Sequence, residues 1–431
     1  MVGIRGIARR LSWGLGDQAV SSMSNFVVGL VVARELGVAA FGVFSLAWVT
    51  YGVILNISRG LSTDPLVVRY SGASTEDWRA ATSRATGTSL VVGVAFGGVS
   101  ALVGLFMGGM IGDAFLALAV VTPALLLQDA WRFAFFAAGQ GHKAFLNDTV
   151  WALASIPLLA LAAIHSTVWG FMLAWGGAAL VAAGYGWQQS RVVPHFNGVR
   201  DWLHRHRDLG SRYMIENVTN SGAAQLRMYG LGAIAGLADV GSVRGAELLL
   251  GPFLALLMGV SLFAVPEAAR VLRRAPEKLI RFCLVIGGAQ AAAAALWGLF
   301  LLLLVPDSLG RLLIADVWAP ASHLILPVSL SVTAAGVITG AAAGLRALGA
   351  ARRSLRSQLV QSAGYLGFGL AGAALGGAAG MSWGSTAAMW CCAVLWWLQL
   401  RAALRDHVPS VPEHVMAGVD DASTIEEVST P

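Results

Sequence analysis

The stretch Asp17–Ala47, DQAVSSMSNFVVGLVVARELGVAAFGVFSLA, decides how the rest of the chain is read. It starts inside an apolar run and still carries Asp17, Gln18, Ser21, Ser22, Ser24 and Asn25. Asp17, Ser21, Ser24 and Asn25 recur at i, i+4, i+7 and i+8, the spacing of one face of an α-helix. An apolar helix with a polar stripe and a carboxylate is either a packed helix of a soluble protein or a membrane helix lining a polar cavity.

Composition chooses between the two. The 431 residues are 57% hydrophobic and only 12% charged, with a mean hydropathy of +0.70. That is too little charge to cover a soluble protein of this length, so the chain reads as an all-α polytopic membrane protein. Arg5, Arg9 and Arg10 precede a hydrophobic run too long for a signal peptide, which reads as the first span. Cys283, Cys391 and Cys392 all lie in apolar segments, and their spacing implies neither a disulfide framework nor a metal site.

A span of the hydrocarbon core takes roughly 20 apolar residues. Twelve such spans are expected, at 11–33, 40–57, 86–107, 114–137, 147–164, 168–187, 211–235, 243–264, 281–305, 322–345, 358–377 and 381–400. With both termini in the cytoplasm, 24 of the 29 Lys and Arg residues fall inside; Arg34, Arg244 and Arg311 lie near the outer side, Arg132 and Arg227 within spans. This is the asymmetry the positive-inside rule requires. It gives a six-helix bundle over 1–190, a cytoplasmic linker over 191–210, a second six-helix bundle over 211–405 and a disordered acidic tail over 406–431. Ser74-Thr75-Glu76-Asp77 reads as a helix N-cap with acids in the first turn, leading into an interfacial helix.

The opening stretch recurs 199 residues later without a gap. Asp17 meets Glu216, Gln18 meets Asn217, Ser21 meets Asn220 and Ser22 meets Ser221, while Gly37, Ala39, Gly42 and Ala47 meet Gly236, Ala238, Gly241 and Ala246. Two six-helix bundles repeated in the same orientation, around an axis along the membrane normal, enclose a central cavity in transporters.

Asp17-Gln18-Ala19, Ser22, Asn25-Phe26, Ala33-Arg34, Leu36-Gly37, Phe41-Gly42 and Phe44 resemble the first helix pair of bacterial polysaccharide and O-antigen flippases of the multidrug/oligosaccharidyl-lipid/polysaccharide exporter superfamily. The resemblance continues at Gln128-Asp129, Arg132, Gly139, Asn147-Asp148, Arg205, Arg207–Gly210 and Leu249–Pro252, covering about the first 260 residues. It implies translocation of a lipid-linked oligosaccharide from the inner to the outer leaflet of the cytoplasmic membrane, with no chemical step. The expected partners are that substrate, membrane lipids, a coupling cation or proton and polysaccharide polymerase or assembly proteins. No span matches the two additional C-terminal spans of peptidoglycan-precursor flippases, which argues against that substrate.

Each charge in the membrane costs a few kcal/mol and calls for a reason. Asp129–Arg132 and Arg244–Glu247 are both i, i+3 and can neutralise each other on one helix. Asp17, Glu216 and Arg227 have no such neighbour and are expected to face a wet cavity or one another. Arg132 and Arg227 suit a diphosphate head, because a guanidinium forks onto phosphate oxygens and stays charged when desolvated. Gln18, Ser22, Asn25, Asn217, Asn220, Ser221 and Gln225 form either a sugar-accommodating wall or hydrogen bonds between helices. The Gly372, Gly376, Gly380 spacing reads as close helix packing, and Trp13, Trp169, Trp187 and Trp383 as interface anchors. No nucleotide motif, nucleophile–base pair or metal-ligand cluster is present, so neither an enzyme nor a cofactor nor a nucleic-acid partner is expected. An exporter of small cationic compounds is the rival reading; its cavity would want carboxylates without arginines.

Overall fold

A computed structural model describes the backbone of residues 4–406; side chains are described from Ser12 onward, apart from positions 212, 216, 218–220, 252 and 254–263. The tail beyond Asp406 therefore lies outside the described residues. The described chain is helical throughout: α1 (Ile4–Ser58), a π-helical turn (Arg59–Thr63), α2 (Asp64–Tyr70), α3 (Thr75–Met107), α4 (Gly109–Ala137), α5 (Gly141–Ala162), α6 (Val168–Ser190), α7 (Val199–Arg205), α8 (Arg207–Ile234), α9 (Leu237–Arg274), α10 (Leu279–Leu303), α11 (Asp307–Ile314), α12 (Trp318–Ser322), α13 (Ile325–Ala347) and α14 (Ala351–Arg405).

Eight of these helices are long and apolar enough to cross a membrane. Two of the eight, α1 and α14, double back on themselves. In α1 the break is Gly37, at φ 73°, a conformation that a Cβ disfavours. Asp17 and Arg59, on opposite sides of Gly37, end at the same cluster around Asp129 and Arg132, so the two arms lie side by side. In α14 the break is Gly376–Gly377, and Gly372 and Gly380 face each other backbone to backbone across it. The glycine spacing thus serves a hairpin and not a ladder along one helix face. Counting each arm, and adding the more polar α8 and α9, gives twelve passes in an all-α polytopic membrane protein.

The 199-residue repeat is visible in the backbone. Gly236, between α8 and α9, adopts φ 98° and ψ 176°; Gly37 adopts φ 73° and ψ 172°. The contacts come in matched pairs. A Cβ on Gly42 would collide with the Leu237 carbonyl, and one on Gly241 with that of Val38, the residue 199 positions before Leu237. Gly52 touches Gln225, and Gly251 touches Phe26, again one offset apart. A two-fold pseudo-axis therefore runs between α1 and α9. Around it the six passes of α1 and α3–α6 and the six of α8–α10, α13 and α14 enclose a central cavity.

Sequence features place the ends. Ser74 caps α3, its hydroxyl accepting from the Asp77 N–H at 3.1 Å, and α3 then runs unbroken to Met107, with no separate interfacial helix. Trp13, Trp169, Trp187 and Trp383 are exposed, as interface anchors would be. The segment between the halves is strapped to the first one. The Ser83 hydroxyl donates to the Val193 carbonyl at 2.5 Å, the Trp202 indole donates to the Leu61 carbonyl at 3.1 Å, and Arg69 pairs with Asp208 at 2.7 Å. His206 closes the strap against the Trp202 ring, and burial holds its imidazole below the ordinary histidine range.

Because backbone oxygens occupy the Cβ positions of Gly42 and Gly241, any side chain there overpacks the contact, at about 1–3 kcal/mol. Gly42→Val is expected to lower the melting temperature of the purified protein and to expose a cysteine at Ser45, now buried, to an impermeant thiol reagent. Unchanged melting and labelling would show that the halves do not depend on this contact.

Candidate functional site

The first-half spans bring three carboxylates and two guanidiniums together. Arg132 on α4 meets Asp17 on α1 at 2.5 Å and Asp148 on α5 at 3.1 Å, while its own-helix neighbour Asp129 is 3.9 Å away. Asp129 is gripped instead by Arg59, through two hydrogen bonds of 2.6 and 2.9 Å. Arg59 opens the π-helical turn, a geometry that inserts a residue and re-aims the side chains after it. Gln128 donates to Asp148 at 2.7 Å and to Asn147 at 3.1 Å, and Asn147 donates to the Ala182 carbonyl. Asp17, Asp129, Arg132 and Asp148 are all buried. Three negative groups against two positive ones leave a formal charge of −1, and Asp17 Oδ1 is buried without a hydrogen-bond partner.

The second half carries the opposite imbalance. Arg227 on α8 pairs with Glu247 on α9 at 2.7 Å, and Arg244 pairs with the other oxygen of the same carboxylate at 2.8 Å. Arg227 is 3% exposed, donates to the Ser385 hydroxyl at 3.1 Å and lies over the Tyr365 ring at 4.5 Å, a cation–π contact. Two guanidiniums against one carboxylate leave +1. Arg244 is the most accessible member of the group, its side chain 31% exposed against 21% for Glu247.

Arg244 and Glu247 look into a cavity of about 640 Å³ between the halves. Its wall includes Ser22, Asn25 and Trp48 from α1 and Gln358, Gln361 and Tyr365 from α14. A smaller cavity of about 270 Å³, with Arg346 in its wall, shares Gln358 and Gln361 with it and lies toward the end that carries the termini. At the opposite end the Gly42–Gly241 contact holds the halves together. Among the described residues, no group of three or more His, Cys, Asp and Glu side chains is arranged to hold a metal ion.

The expected site residues therefore divide. Ser22 and Asn25 line the large cavity. Gln18 is exposed and donates to Ser22 at 3.1 Å. Asp17, Asp129 and Arg132 sit in the buried first-half cluster, and Arg227 sits behind Glu247 and Tyr365. Asn217 donates to Asp64 at 2.8 Å, Ser221 accepts from Asn56 at 2.9 Å, and Gln225 packs on Gly52, all between the halves. The side chains of Glu216 and Asn220 lie outside the described residues. Both local pairs are present: Arg244–Glu247 at 2.8 Å, and Asp129–Arg132 at 3.9 Å, where Arg59 is the nearer partner of Asp129 and Asp17 and Asp148 are the nearer partners of Arg132. Asp17 and Arg227 have no neighbour on their own helices but find partners on others. Arg59 and Asp148 were missed; the Gln128-Asp129 and Asn147-Asp148 pairs, polar within apolar runs, were the available signal.

No family profile matches the sequence, and no curated protein sequence is similar to it. Solved structures do match. A multidrug resistance MATE family transporter of the MOP superfamily, in an inward-facing conformation, covers 90% of this chain and 95% of its own, at 15% identity and a TM-score of 0.69. The outward-facing conformation of such a transporter covers 93% and 96%, at 14% identity and a TM-score of 0.56. The lipid II flippase MurJ in an inward closed conformation covers 95% and 92%, at 10% identity and a TM-score of 0.68. At these identities the likeness is one of fold: the chain has the twelve-helix, two-lobed fold that these transporters share.

The charge count of the first-half cluster is testable. Arg132→Gln leaves three buried carboxylates to one guanidinium and is expected to cost about 3–5 kcal/mol, the penalty for orphaning a buried ion-pair partner. Asp148→Asn removes the surplus charge and is expected to melt at or above the wild-type temperature. Scanning fluorimetry of the purified variants checks this; a larger loss in Asp148→Asn than in Arg132→Gln would overturn the count.

Proposed function

We propose that the protein is an alternating-access transporter that turns a lipid-linked oligosaccharide, anionic at its phosphate head, from the cytoplasmic to the outer leaflet of the cell inner membrane. The observation that carries this reading is Arg244, a guanidinium facing the cavity between the halves and backed by the net positive Arg227–Glu247–Arg244 group. An anionic head loses its hydration on entering such a cavity and needs fixed donors in exchange. Arg244 supplies them at the surface, while Arg227 adds charge from behind without contact. Ser22, Asn25, Gln358 and Gln361 are hydrogen-bonding groups suited to hydroxyls.

The basic residues at the termini end, Arg270, Arg273, Arg274, Arg346, Arg352, Arg353 and Arg356 among them, support a cytoplasmic placement of both ends. With that orientation the cavity faces the leaflet where lipid-linked glycans are built. The first-half cluster, one carboxylate in excess, is suited to take up a proton or a monovalent cation and to couple its release to the movement of the halves.

A rival reading has one observation in its favour. Glu247 also lines the cavity, and a cation-coupled exporter of small cationic compounds would use such a carboxylate. Arg244→Gln separates the two. Removing charge-assisted bonds to a phosphate is expected to weaken binding of a polyprenyl diphosphate by about 10–100-fold and to abolish complementation of a strain lacking its surface-glycan flippase. Intact complementation together with increased resistance to a cationic dye would favour the exporter.

A further inference from the structure

The cavity wall contains an aromatic surface that an anion-binding site does not need. Trp48, on the second arm of α1, lines the 640 Å³ cavity and also a recess of about 50 Å³. Asn25 and Arg244 line both spaces as well. Trp48 is half-buried, and its indole is stacked on Trp175, with centroids 4.6 Å apart and planes at 15°. Trp175 is itself fixed: it is buried, Tyr51 meets it edge-on at 5.0 Å and 89°, and the Trp151 indole N–H donates to its backbone carbonyl at 3.4 Å. Trp48 is therefore a rigid plate backed by a second plate. Among the described residues its indole N–H has no hydrogen-bond acceptor, and the Asn25 amide has no partner.

We infer that Trp48, with Asn25 at its edge, is a stacking subsite for the sugar ring nearest the phosphate head. The inference rests on the anionic-lipid reading above. A pyranose presents one face of C–H groups and a rim of hydroxyls, so it is held best by a flat aromatic surface with planar polar side chains around it. Asn25 offers both a donor and an acceptor, and Arg244 adds fixed donors to the ring's rim or to the neighbouring phosphate. In a lipid-linked glycan the first sugar is bonded directly to the phosphate. A cavity that holds that phosphate at Arg244 therefore brings the ring to the wall Arg244 shares with Trp48. The recess, at about 50 Å³, is less than a tenth the size of the 640 Å³ cavity, so the ring lies in the large cavity and only a small substituent fits the recess. A fixed plate loses no side-chain freedom on binding, which makes the contact effective.

The test compares affinity for a bare polyprenyl diphosphate with affinity for the same lipid bearing glucose, galactose or N-acetylglucosamine, using purified full-length protein in nanodiscs. At least one glycosylated probe is expected to bind about tenfold more tightly than the bare lipid. That ratio is expected to fall toward one in Trp48→Leu, to be partly kept in Trp48→Phe, and to survive in Arg244→Gln although both affinities drop. Asn25→Ala, which leaves the stacked tryptophans in place, is expected to lower the ratio as well, so the inference stays testable should Trp48→Leu unfold. A ratio near one in the wild type, or a ratio unchanged in Trp48→Leu and Asn25→Ala, overturns the subsite. Failure of the wild type to bind the bare lipid at all overturns the anionic-lipid reading and the subsite with it. Binding of a cationic aromatic dye that depends on Trp48, with no sugar preference, overturns the subsite in favour of the exporter.

Discussion

Gly42 and Gly241 bring α1 and α9 so close that each glycine lies against a backbone carbonyl of the other helix. Only residues without a Cβ permit that approach, and in a membrane, where lipid is as apolar as any side chain, such close van der Waals packing is what drives helices together. The contact sits on the pseudo-axis, so each half closes against the other with the same surface. Everything described between the halves hangs from it: the cavity below, the alignment of Ser22 and Asn25 opposite Arg244, and the polar contacts of α8 with the second arm of α1.

The two halves divide the charge between them. The first holds a buried group with one carboxylate too many, the second a group with one guanidinium too many and a member facing the cavity. Burial of an unbalanced charge is expensive, so each imbalance invites a counter-ion of its own kind. Arg59 ties the first group to the interface, since it holds Asp129 while the next residue of the π-helical turn, Gly60, lies against the backbone of Met214 on α8.

The fold was legible because its determinants are local or periodic. Apolar run length, the Lys and Arg distribution and the recurrence of Gly37 and Gly42 at Gly236 and Gly241 all survive in one dimension. The site was legible only in part. A polar stripe on α1 could be seen, but not that Asp17 would turn into the first half while Ser22 and Asn25 faced the cavity. The i, i+3 rule placed Arg244 beside Glu247 and Arg132 within 3.9 Å of Asp129, but it cannot weigh a nearer partner 70 residues away such as Arg59. Arg59 itself looked like one more basic residue beyond a span end; nothing in its neighbours announces a π-helical turn.

The hairpins α1 and α14 have a bearing on biogenesis. The arms of α14 meet at Gly376–Gly377 within an uncharged stretch, whereas those of α1 meet at Gly37 just beyond the charged pair Arg34 and Glu35. Only the α14 pair can therefore be inserted without carrying a charge across the bilayer at its turn; the α1 pair has to bring Arg34 and Glu35 to the far side. Asp17 on the first arm stays unpaired until Arg132 on α4 reaches it. Arg59, beyond the second arm, likewise finds its partner Asp129 only once α4 is in place.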